Sequence, residues 1–233
     1  MKVSIVIPAH NEEANIAQTI SSIEDKVKFE HEIVVVNDHS TDNTSGVIRD
    51  LSAKYAGRVR LLDNTDNSGF KNALFFGFKS ANFQCLLPVM ADLCDDPDTM
   101  NKMYDKMLDG YDIVCGSRYM KDGRKVGGPI AKTFFSRFFG LSLHFLIGIP
   151  TRDVSNSFKL YKKEILDKIS IQSTGFEVSV EMPLKAYFLG YKITEVPTVW
   201  MDRKEGKSKF HVFKEGPGYI GLYIWAIWKK IRG

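Results

Sequence analysis

The chain has 233 residues, of which 44% are hydrophobic, so it is long enough to bury the core of one large domain. Its 32 basic and 28 acidic residues give a formal net charge of +4. A charge this small, without a long basic run, argues against a nucleic-acid-binding protein. Cys85, Cys94 and Cys115 form no CxxC pair, so we expect reduced thiols, as in a cytosolic protein.

The N-terminal sequence predicts no signal peptide, because Met1 leads directly into a strand-like run. The apolar stretch at 219–231 has 13 residues, fewer than the roughly 20 that a spanning helix needs. We therefore expect a cytoplasmic protein. Two tryptophans and the terminal Lys229, Lys230 and Arg232 suit this stretch to lie on the cytosolic membrane surface, or to contact a membrane partner. The alternative is that it packs on the domain's own core or on a second subunit, as in a homodimer.

Strand-like and helical patterns alternate strictly over residues 1–118. Short apolar runs predict strands at 3–7, 31–37, 59–62, 85–89 and 113–116. Apolar residues at helical spacing predict helices at 14–27, 47–55, 73–83 and 100–108. This alternation predicts an α/β fold with a mostly parallel, doubly wound sheet and flanking helices.

The second half of the chain is less regular. Its patterns predict a glycine-rich loop at 121–128, an apolar segment at 134–147, strands at 158–161 and 193–199, a helix at 177–189 and a charged loop at 202–209. Residues 211–232 predict a tail helix that is broken by the Gly-Pro-Gly at 216–218. The phenylalanines of the apolar segment are predicted to be core, with a groove for a lipid acceptor as the alternative.

Polar residues follow three of the predicted strands, at the point where each strand ends. Pro8, His10 and Glu12 follow the first strand, Asp38 follows the second, and Asp92 follows the fourth. Because the carboxyl ends of parallel strands meet at one edge of a sheet, we expect these residues to converge on one cleft. Asp38 is suited to accept from a base or ribose, and Asp92 to hold a divalent cation. No GxGxxG or GxxxxGK[ST] motif occurs, which argues against a dehydrogenase or a P-loop protein.

Two further carboxylates, Asp95 and Asp96, come directly after Asp92. Asp96 and Pro97 are typical of the start of a helix, where aspartate caps the first turn and proline opens it. Asp95 and Asp96 therefore have a purely structural explanation. Asp92, at the end of the strand, is the better candidate for a metal and diphosphate site.

Eight segments, in order over residues 3 to about 210, resemble the family 2 glycosyltransferases of GT-A fold, and among them the dolichyl- and polyprenyl-phosphate mannose synthases. The segments are IPAHNEE (7–13), VNDHSTDNT (36–44), NSG (67–69), ADL (91–93), GSRY (116–119), DVSNSFKLY (153–161), EVP (195–197) and DRKEGKSK (202–209). The resemblance implies an inverting hexosyltransferase that uses GDP-mannose or a UDP-hexose and a polyprenyl or dolichyl phosphate. It also implies a GT-A-like domain at 1–210, with a nucleotide-binding half at 1–118, an acceptor half at 119–210 and a separate tail helix at 211–233.

The resemblance also implies roles for individual residues. The implied nucleotide-binding residues are Pro8, His10, Glu12, Asp38, Asn67, Ala91 and Asp92. The implied catalytic residues are Asp92, Arg118, Arg203 and Lys209, and the implied ligands of Mg²⁺ or Mn²⁺ are Asp92 and Asp95. The implied acceptor-phosphate residues are Arg118, Lys132, Ser136, Arg203, Ser208 and Lys209.

Four positions depart from the family's pattern. Asn37 and Met90 replace the first aspartates of the nucleotide pair and of the Asp-x-Asp metal motif, Cys94 stands where a polar ligand is frequent, and Ser157 replaces a glycine. Of the four replacements, Met90 affects the predicted metal site most, because a thioether is a poor ligand for a hard cation. We expect Asp95 or the donor diphosphate to complete the coordination.

The sequence leaves two other functions open: a soluble glycosyltransferase that acts on a sugar hydroxyl, and a non-catalytic protein that binds nucleotide sugars. A phosphate monoester, with a second pKa near 6, is largely dianionic at pH 7 and needs no general base. A sugar hydroxyl would need a positioned carboxylate. Glu177 and Glu181, four residues apart on one predicted helix, are candidates to pair with Arg152 or Arg203, and both structural ion pairing and a role in catalysis remain open for them.

Overall fold

A computed structural model describes the backbone of residues 1–203 and 212–232, and the side chains of 1–203 and 214–232. The strands are β1 (Val3–Ala9), β2 (His31–Asn37), β3 (Val59–Asp63), β4 (Cys85–Pro88), β5 (Ile113–Ser117), β6 (Arg124–Val126), β7 (Lys159–Lys162), β8 (Ile193–Pro197) and β9 (Val199–Met201). The α-helices are α1 (Ile16–Lys26), α2 (Thr44–Lys54), α3 (Phe70–Ser80), α4 (Pro97–Leu108), α5 (Ile130–Ile147), α6 (Val178–Phe188) and α7 (Val212–Arg232).

Seven strands form one sheet in the order β3-β2-β1-β4-β7-β5-β8, and β6 pairs with β9 in a second, small sheet. In the large sheet β7 runs antiparallel to β4 and β5, whereas the other neighbouring strands are parallel. The predicted mostly parallel α/β sheet is confirmed. The position of β7, which comes from the second half of the chain and inserts between β4 and β5, was not predicted.

The apolar strands are buried on both faces of the sheet. In β1, Val6 packs into the core cluster formed with α3, α5, α6 and α7, whereas Ile5 and Ile7 pack on the opposite face with α1, α2 and α4. Successive side chains of a strand point to opposite faces, so helices must cover both sides of such a continuous apolar run. This layering leaves the carboxyl ends of β1, β2 and β4 together at one edge of the sheet.

The phenylalanine cluster of α5 is mostly outside the core, so that prediction is wrong. Phe134, Phe135 and Phe138 are 65%, 61% and 61% exposed, and only Phe139 packs against the core. The prediction failed because α5 is apolar around most of its circumference while only one side of it faces the protein. Among the residues that the structure describes, α5 is the one helix long and apolar enough to cross a membrane, by length and composition.

The C-terminal helix α7 is continuous, although the sequence predicts a break at 216–218. Pro217 lies near the start of α7, so it interrupts the hydrogen bonds of the early turns only. Ala226 is fully buried, and Tyr219, Leu222 and Tyr223 pack against the core. One face of α7 therefore packs on the domain's own core.

Two predicted boundaries in the second half also differ from the structure. The predicted loop at 121–128 contains β6. The predicted strand at 193–199 ends at Pro197 as β8, and a separate strand, β9, begins at Val199. Between them, Thr198 N–H donates to the Ser117 carbonyl (3.1 Å), and the Thr198 carbonyl accepts from Arg124 N–H (2.9 Å). The chain therefore passes from the large sheet to the small one at this residue.

Candidate active site

The loops that follow β1 and β2 are tied together at the carboxyl edge of the sheet. Asn11 N–H donates to Ser40 Oγ (3.0 Å), and Asn11 Oδ1 accepts from Thr41 N–H (2.7 Å). His10 Nδ1 lies 2.6 Å from the Asp38 carbonyl. Asn11 and His39 both have a φ of 54°, a left-handed conformation in which asparagine and histidine are enriched. These contacts bring the first two groups of predicted nucleotide-binding residues to the same place.

The Asp38 carboxylate holds the loop that precedes α3. Its two oxygens accept from Asn64 Nδ2 (2.8 Å), Gly69 N–H (2.9 Å) and Ser68 Oγ (3.2 Å), and Asp38 is 6% exposed. Asn67, in the same loop, is exposed. Asp38 therefore shapes the loop that presents Asn67.

Asp38→Ala is expected to lower the free energy of unfolding by about 1.5–3 kcal/mol, because it leaves buried donors without a charged acceptor. Donor affinity should fall by roughly 10- to 150-fold as the loop loosens. Urea unfolding and calorimetry with GDP and UDP measure the two effects. Asp63→Ala, which removes an exposed partner of Asn37, is the control. If stability falls but nucleotide affinity is unchanged, Asp38 does not belong to the nucleotide site.

Pro8 and Ala91 contribute backbone rather than side-chain chemistry to this edge. Pro8 lies opposite Val36 in the β1–β2 register. The Ala91 carbonyl accepts from Thr19 Oγ1 of α1 at 2.9 Å, which fixes the start of the acidic loop. Both predicted residues therefore lie beside the loops of His10 and Asp92.

The acidic loop after β4 is tightly turned. Asp92 Oδ1 accepts from Cys94 N–H (3.2 Å), across Leu93, which has a φ of 61°. Asp95 is 8% exposed, and its Oδ2 accepts from Met90 N–H (3.3 Å). Burial, together with the nearby charge of Asp92, raises the pKa of Asp95 to about 7. Asp96 caps α4, as predicted, by accepting from the N–H of Asp98 (3.2 Å).

Arg203 reaches the acidic loop from the end of β9. Its Nη2 donates to Asp92 Oδ2 (2.5 Å), and its Nη1 lies 3.6 Å from Glu12 Oε1. The Arg203 side chain is 14% exposed. Its guanidinium therefore joins the loop after β1 to the loop after β4, a contact that sequence reasoning did not predict.

The residues present fit a divalent cation that shares its ligands with a diphosphate. In the part of the chain that the structure describes, no group of three or more histidine, cysteine, aspartate or glutamate side chains is arranged to hold a metal ion. Burial and the charge of Asp92 raise the pKa of Cys94, so its thiol stays protonated and is a poor ligand. Asp92 and Asp95 offer carboxylate oxygens, and Mg²⁺ often takes one or two carboxylates with phosphates and waters.

Arg118, at the end of β5, forms a buried bidentate ion pair. Its Nε and Nη2 donate to the two Asp153 oxygens (2.7 and 2.8 Å), and its backbone N–H donates to Asp153 Oδ2 (2.9 Å). Burial opposes the charge of Arg118, but the adjacent Asp153 carboxylate raises the pKa of the guanidinium above its usual value. Sequence reasoning gave Asp153 no role, although it opens one of the matched segments.

The N-terminal part of α5 lies beside Arg118. The Arg118 guanidinium lies over the Tyr119 ring at 5.1 Å, and the Tyr119 hydroxyl bonds Ser136 of α5. Lys125 of β6 donates to Thr133 Oγ1 (2.7 Å), and burial lowers the pKa of Lys125. Lys132, one residue from Thr133, adds a further positive charge near Lys125. The predicted Arg118, Lys132 and Ser136 thus come together, with Tyr119 and Lys125 as additional members.

Ser208 and Lys209, two of the implied acceptor-phosphate residues, lie outside the described residues. Among the described residues, Glu177 and Glu181 do not make the predicted contacts. Glu181 pairs with Lys185 (2.6 Å) on its own helix, and Arg152 pairs with Glu195 (2.5 Å). The hypothesis that Glu177 and Glu181 pair with Arg152 or Arg203 is therefore wrong, because closer partners neutralise both arginines. Glu177 instead accepts from the backbone N–H groups of residues 174 and 175.

Known proteins of similar sequence indicate the family to which this chain belongs. The chain is 31% identical over 214 residues to a dolichol-phosphate mannosyltransferase of Pyrococcus furiosus, covering 90% of this chain and 59% of that protein. It is 27% identical over 241 aligned residues to an undecaprenyl-phosphate mannosyltransferase of Micrococcus luteus, covering 100% of this chain and 98% of that protein. The chain thus spans less than two thirds of the first relative's length and nearly all of the second's.

Solved structures show the same fold. Glucosyl-3-phosphoglycerate synthase from Mycobacterium tuberculosis, in complex with Mn²⁺, UDP-glucose and phosphoglyceric acid, has a TM-score of 0.71 at 18% identity. The match covers 98% of this chain and 79% of that chain. The predicted GT-A-like architecture is confirmed. The family model for glycosyl transferase family 2 matches residues 4–170, and the chain therefore belongs to glycosyl transferase family 2.

Proposed function

We propose that this protein transfers a hexose from a nucleoside-diphosphate sugar, GDP-mannose or a UDP-hexose, to a polyprenyl or dolichyl phosphate with inversion. The named relatives act on dolichol phosphate and undecaprenyl phosphate. The observation in this chain that carries the proposal is the cluster of Arg118, Lys125, Lys132 and Ser136, in which Arg118 lies near enough for its charge to act on Asp95 of the acidic loop. Cationic side chains suit a phosphate acceptor.

On the donor side, the predicted nucleotide-binding residues lie beside the acidic loop. His10 and the loop held by Asp38 would contact the nucleotide, while Asp92 and Asp95 would hold Mg²⁺ or Mn²⁺. A bound cation supplies positive charge that stabilises the departing diphosphate. Arg203 adds a second positive charge that needs no proton transfer to act.

The acceptor side positions a nucleophile that is already ionised. A phosphate dianion held by Lys125 and Lys132, beside the Arg118–Asp153 ion pair, attacks the anomeric carbon, and the bond from that carbon to the diphosphate oxygen breaks. Attack opposite the leaving group inverts the anomeric configuration. The acidic side chain of this cluster, Asp153, is fully buried under Arg118, so it is not positioned to deprotonate a sugar hydroxyl. This difference favours the phosphate acceptor over the hydroxyl acceptor.

The test is incubation of the protein with radiolabelled GDP-mannose or UDP-glucose, Mn²⁺ and a panel of acceptors. Labelled, organic-extractable product with undecaprenyl or dolichyl phosphate is the expected result. Label transferred only to sugar hydroxyls would identify a glycosyltransferase of the other type. Tight donor binding without turnover on any acceptor would identify a non-catalytic binding protein.

We also propose that α5 and α7 place the site on a membrane surface. The two helices pack together through Phe139, whose ring lies 5.8 Å from Tyr219 and 5.5 Å from Tyr223. Their outer sides are apolar and exposed, with the large residues Ile130, Phe134, Phe135, Phe138, Phe145, Leu146, Ile220, Ile224, Trp228 and Ile231. Many exposed large apolar side chains on two helices that pack together are typical of a protein or membrane interface.

Charge favours an anionic lipid surface as the occupant. Arg137 of α5 and Lys214, Lys229, Lys230 and Arg232 of α7 flank the apolar side chains, and Arg232 lies over the Trp228 ring at 4.3 Å. Basic residues beside tryptophan are typical of helices that lie in the membrane interface. Docking of this face would bring Lys132 and Ser136 close to a lipid-linked phosphate.

The double variant Phe134→Ser/Phe138→Ser is expected to reduce binding to phosphatidylglycerol vesicles at least tenfold. Burial of one phenylalanine contributes about 1.5–3 kcal/mol, and 1.4 kcal/mol is tenfold. Leu108→Ser is the matched control, because Leu108 is 57% exposed but lies on α4, on the opposite face of the sheet. Co-sedimentation measures binding. Equal binding by the double variant and wild type would contradict the proposal, and wild-type dimers that the variant loses would identify a second subunit as the occupant.

A further inference from the structure

The place beside Asp92 that a cation would take is held by a side chain of the protein itself. Arg203 Nη2 donates to Asp92 Oδ2 at 2.5 Å, and Nη1 lies 3.6 Å from Glu12 Oε1. All three side chains are largely shielded, with Arg203 at 14%, Glu12 at 10% and Asp92 at 7% side-chain exposure. A guanidinium keeps its charge at every pH that a protein tolerates.

The backbone holds Arg203 in this position. Met201 N–H donates to the Cys94 carbonyl in the acidic loop (3.1 Å), and Asp202 N–H donates to the Val126 carbonyl of β6 (2.9 Å). The two residues that precede Arg203 are therefore anchored: Met201 to the acidic loop and Asp202 to β6. The contact with Asp92 follows from the path of β9 rather than from the reach of a mobile side chain.

A guanidinium and a divalent cation compete for the same Asp92 oxygen. Both are positive, and their mutual repulsion is large in a partly buried site. Met90 adds no anionic ligand and Asp96 caps α4, so Asp92 and Asp95 are the carboxylates that this loop offers to the cation. A nucleoside diphosphate changes the balance, because its oxygens offer ligands to the cation and a bidentate partner to the arginine.

We propose that Arg203 is an internal counter-ion that keeps free divalent cations off Asp92 until a nucleoside diphosphate arrives. The diphosphate then draws the guanidinium from Asp92 and Glu12, and the cation takes its place on Asp92. This inference rests on the proposed function for the identity of the donor. Its consequence is that cation and nucleotide bind together, each strengthening the binding of the other by the same factor.

The test is titration of Mn²⁺ with electron paramagnetic resonance detection of the free ion, with and without saturating GDP or UDP. Wild-type protein is expected to bind Mn²⁺ weakly alone and about 10- to 150-fold more tightly with nucleotide, the range for one charge-assisted hydrogen bond. Arg203→Gln should bind Mn²⁺ without nucleotide more tightly than wild type by a similar factor, and should lose most of the synergy. Arg203→Lys, which keeps the charge but not the bidentate fork, should fall between them.

Lys106→Gln is the control for a general effect of charge, because it removes a positive charge from the last turn of α4, where the side chain is 44% exposed and pairs with Asp109. It should leave nucleotide-free Mn²⁺ binding within about twofold of wild type, since exposed or distant charges are well screened. Equal Mn²⁺ affinity of Arg203→Gln and wild type, or tight wild-type binding without nucleotide, would overturn the inference. If Arg203→Gln does not fold, the wild-type and Arg203→Lys titrations still decide.

The two proposals fail in different ways. If nucleotide strengthens Mn²⁺ binding as expected but no sugar is transferred, the counter-ion role of Arg203 is supported and the proposed function is wrong. If sugar is transferred but Mn²⁺ binds equally well with and without nucleotide, the proposed function is supported and the counter-ion role of Arg203 is wrong.

Discussion

Asp92→Asn is expected to reduce sugar transfer by about 10²–10³-fold, the loss typical of removing one electrostatic stabiliser of a transition state. Asparagine has the same shape, and Asp92 contributes little apolar packing at its strand end. The substitution removes the negative charge that pairs with Arg203 (2.5 Å) and that would hold a cation. The measurement is the initial rate of labelled product formation in saturating Mn²⁺, with the unfolding midpoint as a check that the fold is retained.

Asp96→Asn is the matched control in the same loop. Asp96 caps α4 by accepting from Asp98 N–H (3.2 Å) and Thr99 Oγ1 (2.9 Å), and asparagine is an equally good cap. Its turnover should stay close to that of wild type. Near wild-type turnover in Asp92→Asn itself would show that the cation, if required, binds elsewhere.

The fold of the first half could be predicted because its signals are local. The apolar run 31–37 coincides with β2, and buried parallel strands must be apolar on both faces. The position of β7 could not be predicted, since it depends on pairing between Lys159–Lys162 and strands far away in the sequence. Nothing local to that short strand distinguishes the two neighbours it inserts between.

The site shows the same division between local and distant information. Strand ends predict that Asp38 and Asp92 converge, because the carboxyl ends of parallel strands share an edge. The ion pair between Asp92 and Arg203 joins residues 111 positions apart and depends on the course of β9, a separate strand that was not predicted. The resemblance implies that Arg203 is catalytic and contacts the acceptor phosphate, but it does not indicate which carboxylate pairs with the arginine.

The apolar helices show where composition is ambiguous. Phe134 and Phe138 have the character of core residues, yet they are exposed, because a helix that is apolar nearly all round can contact the protein on one side only. The tail shows the reverse: Ala226, in a stretch suited to a membrane surface, is fully buried. Removal of the whole tail would therefore expose core, and substitutions on the outer face of α5 test membrane contact more directly.

Asp153→Asn is expected to lower the free energy of unfolding by about 3–5 kcal/mol, the usual cost of leaving one partner of a buried ion pair uncompensated. Asp153 is fully buried, and its carboxylate accepts from Nε, Nη2 and the backbone N–H of Arg118. Asparagine keeps the size but can accept through one oxygen only, so the Arg118 charge loses its counter-ion. Urea unfolding measures the change.

Glu30→Gln is the control, because it breaks an ion pair at the surface. In this pair the Lys2 side chain is 46% exposed and the Glu30 side chain is 62% exposed, and a surface pair contributes about 0–1 kcal/mol to stability. If Asp153→Asn also costs less than about 1 kcal/mol, water reaches the Arg118 pair more freely than its burial indicates. Arg118 would then be available to leave Asp153 and bind the acceptor phosphate directly. A large loss of stability means instead that Arg118 stays on Asp153 and acts on the acceptor through its position beside Tyr119, so that Lys125 and Lys132 make the direct phosphate contacts.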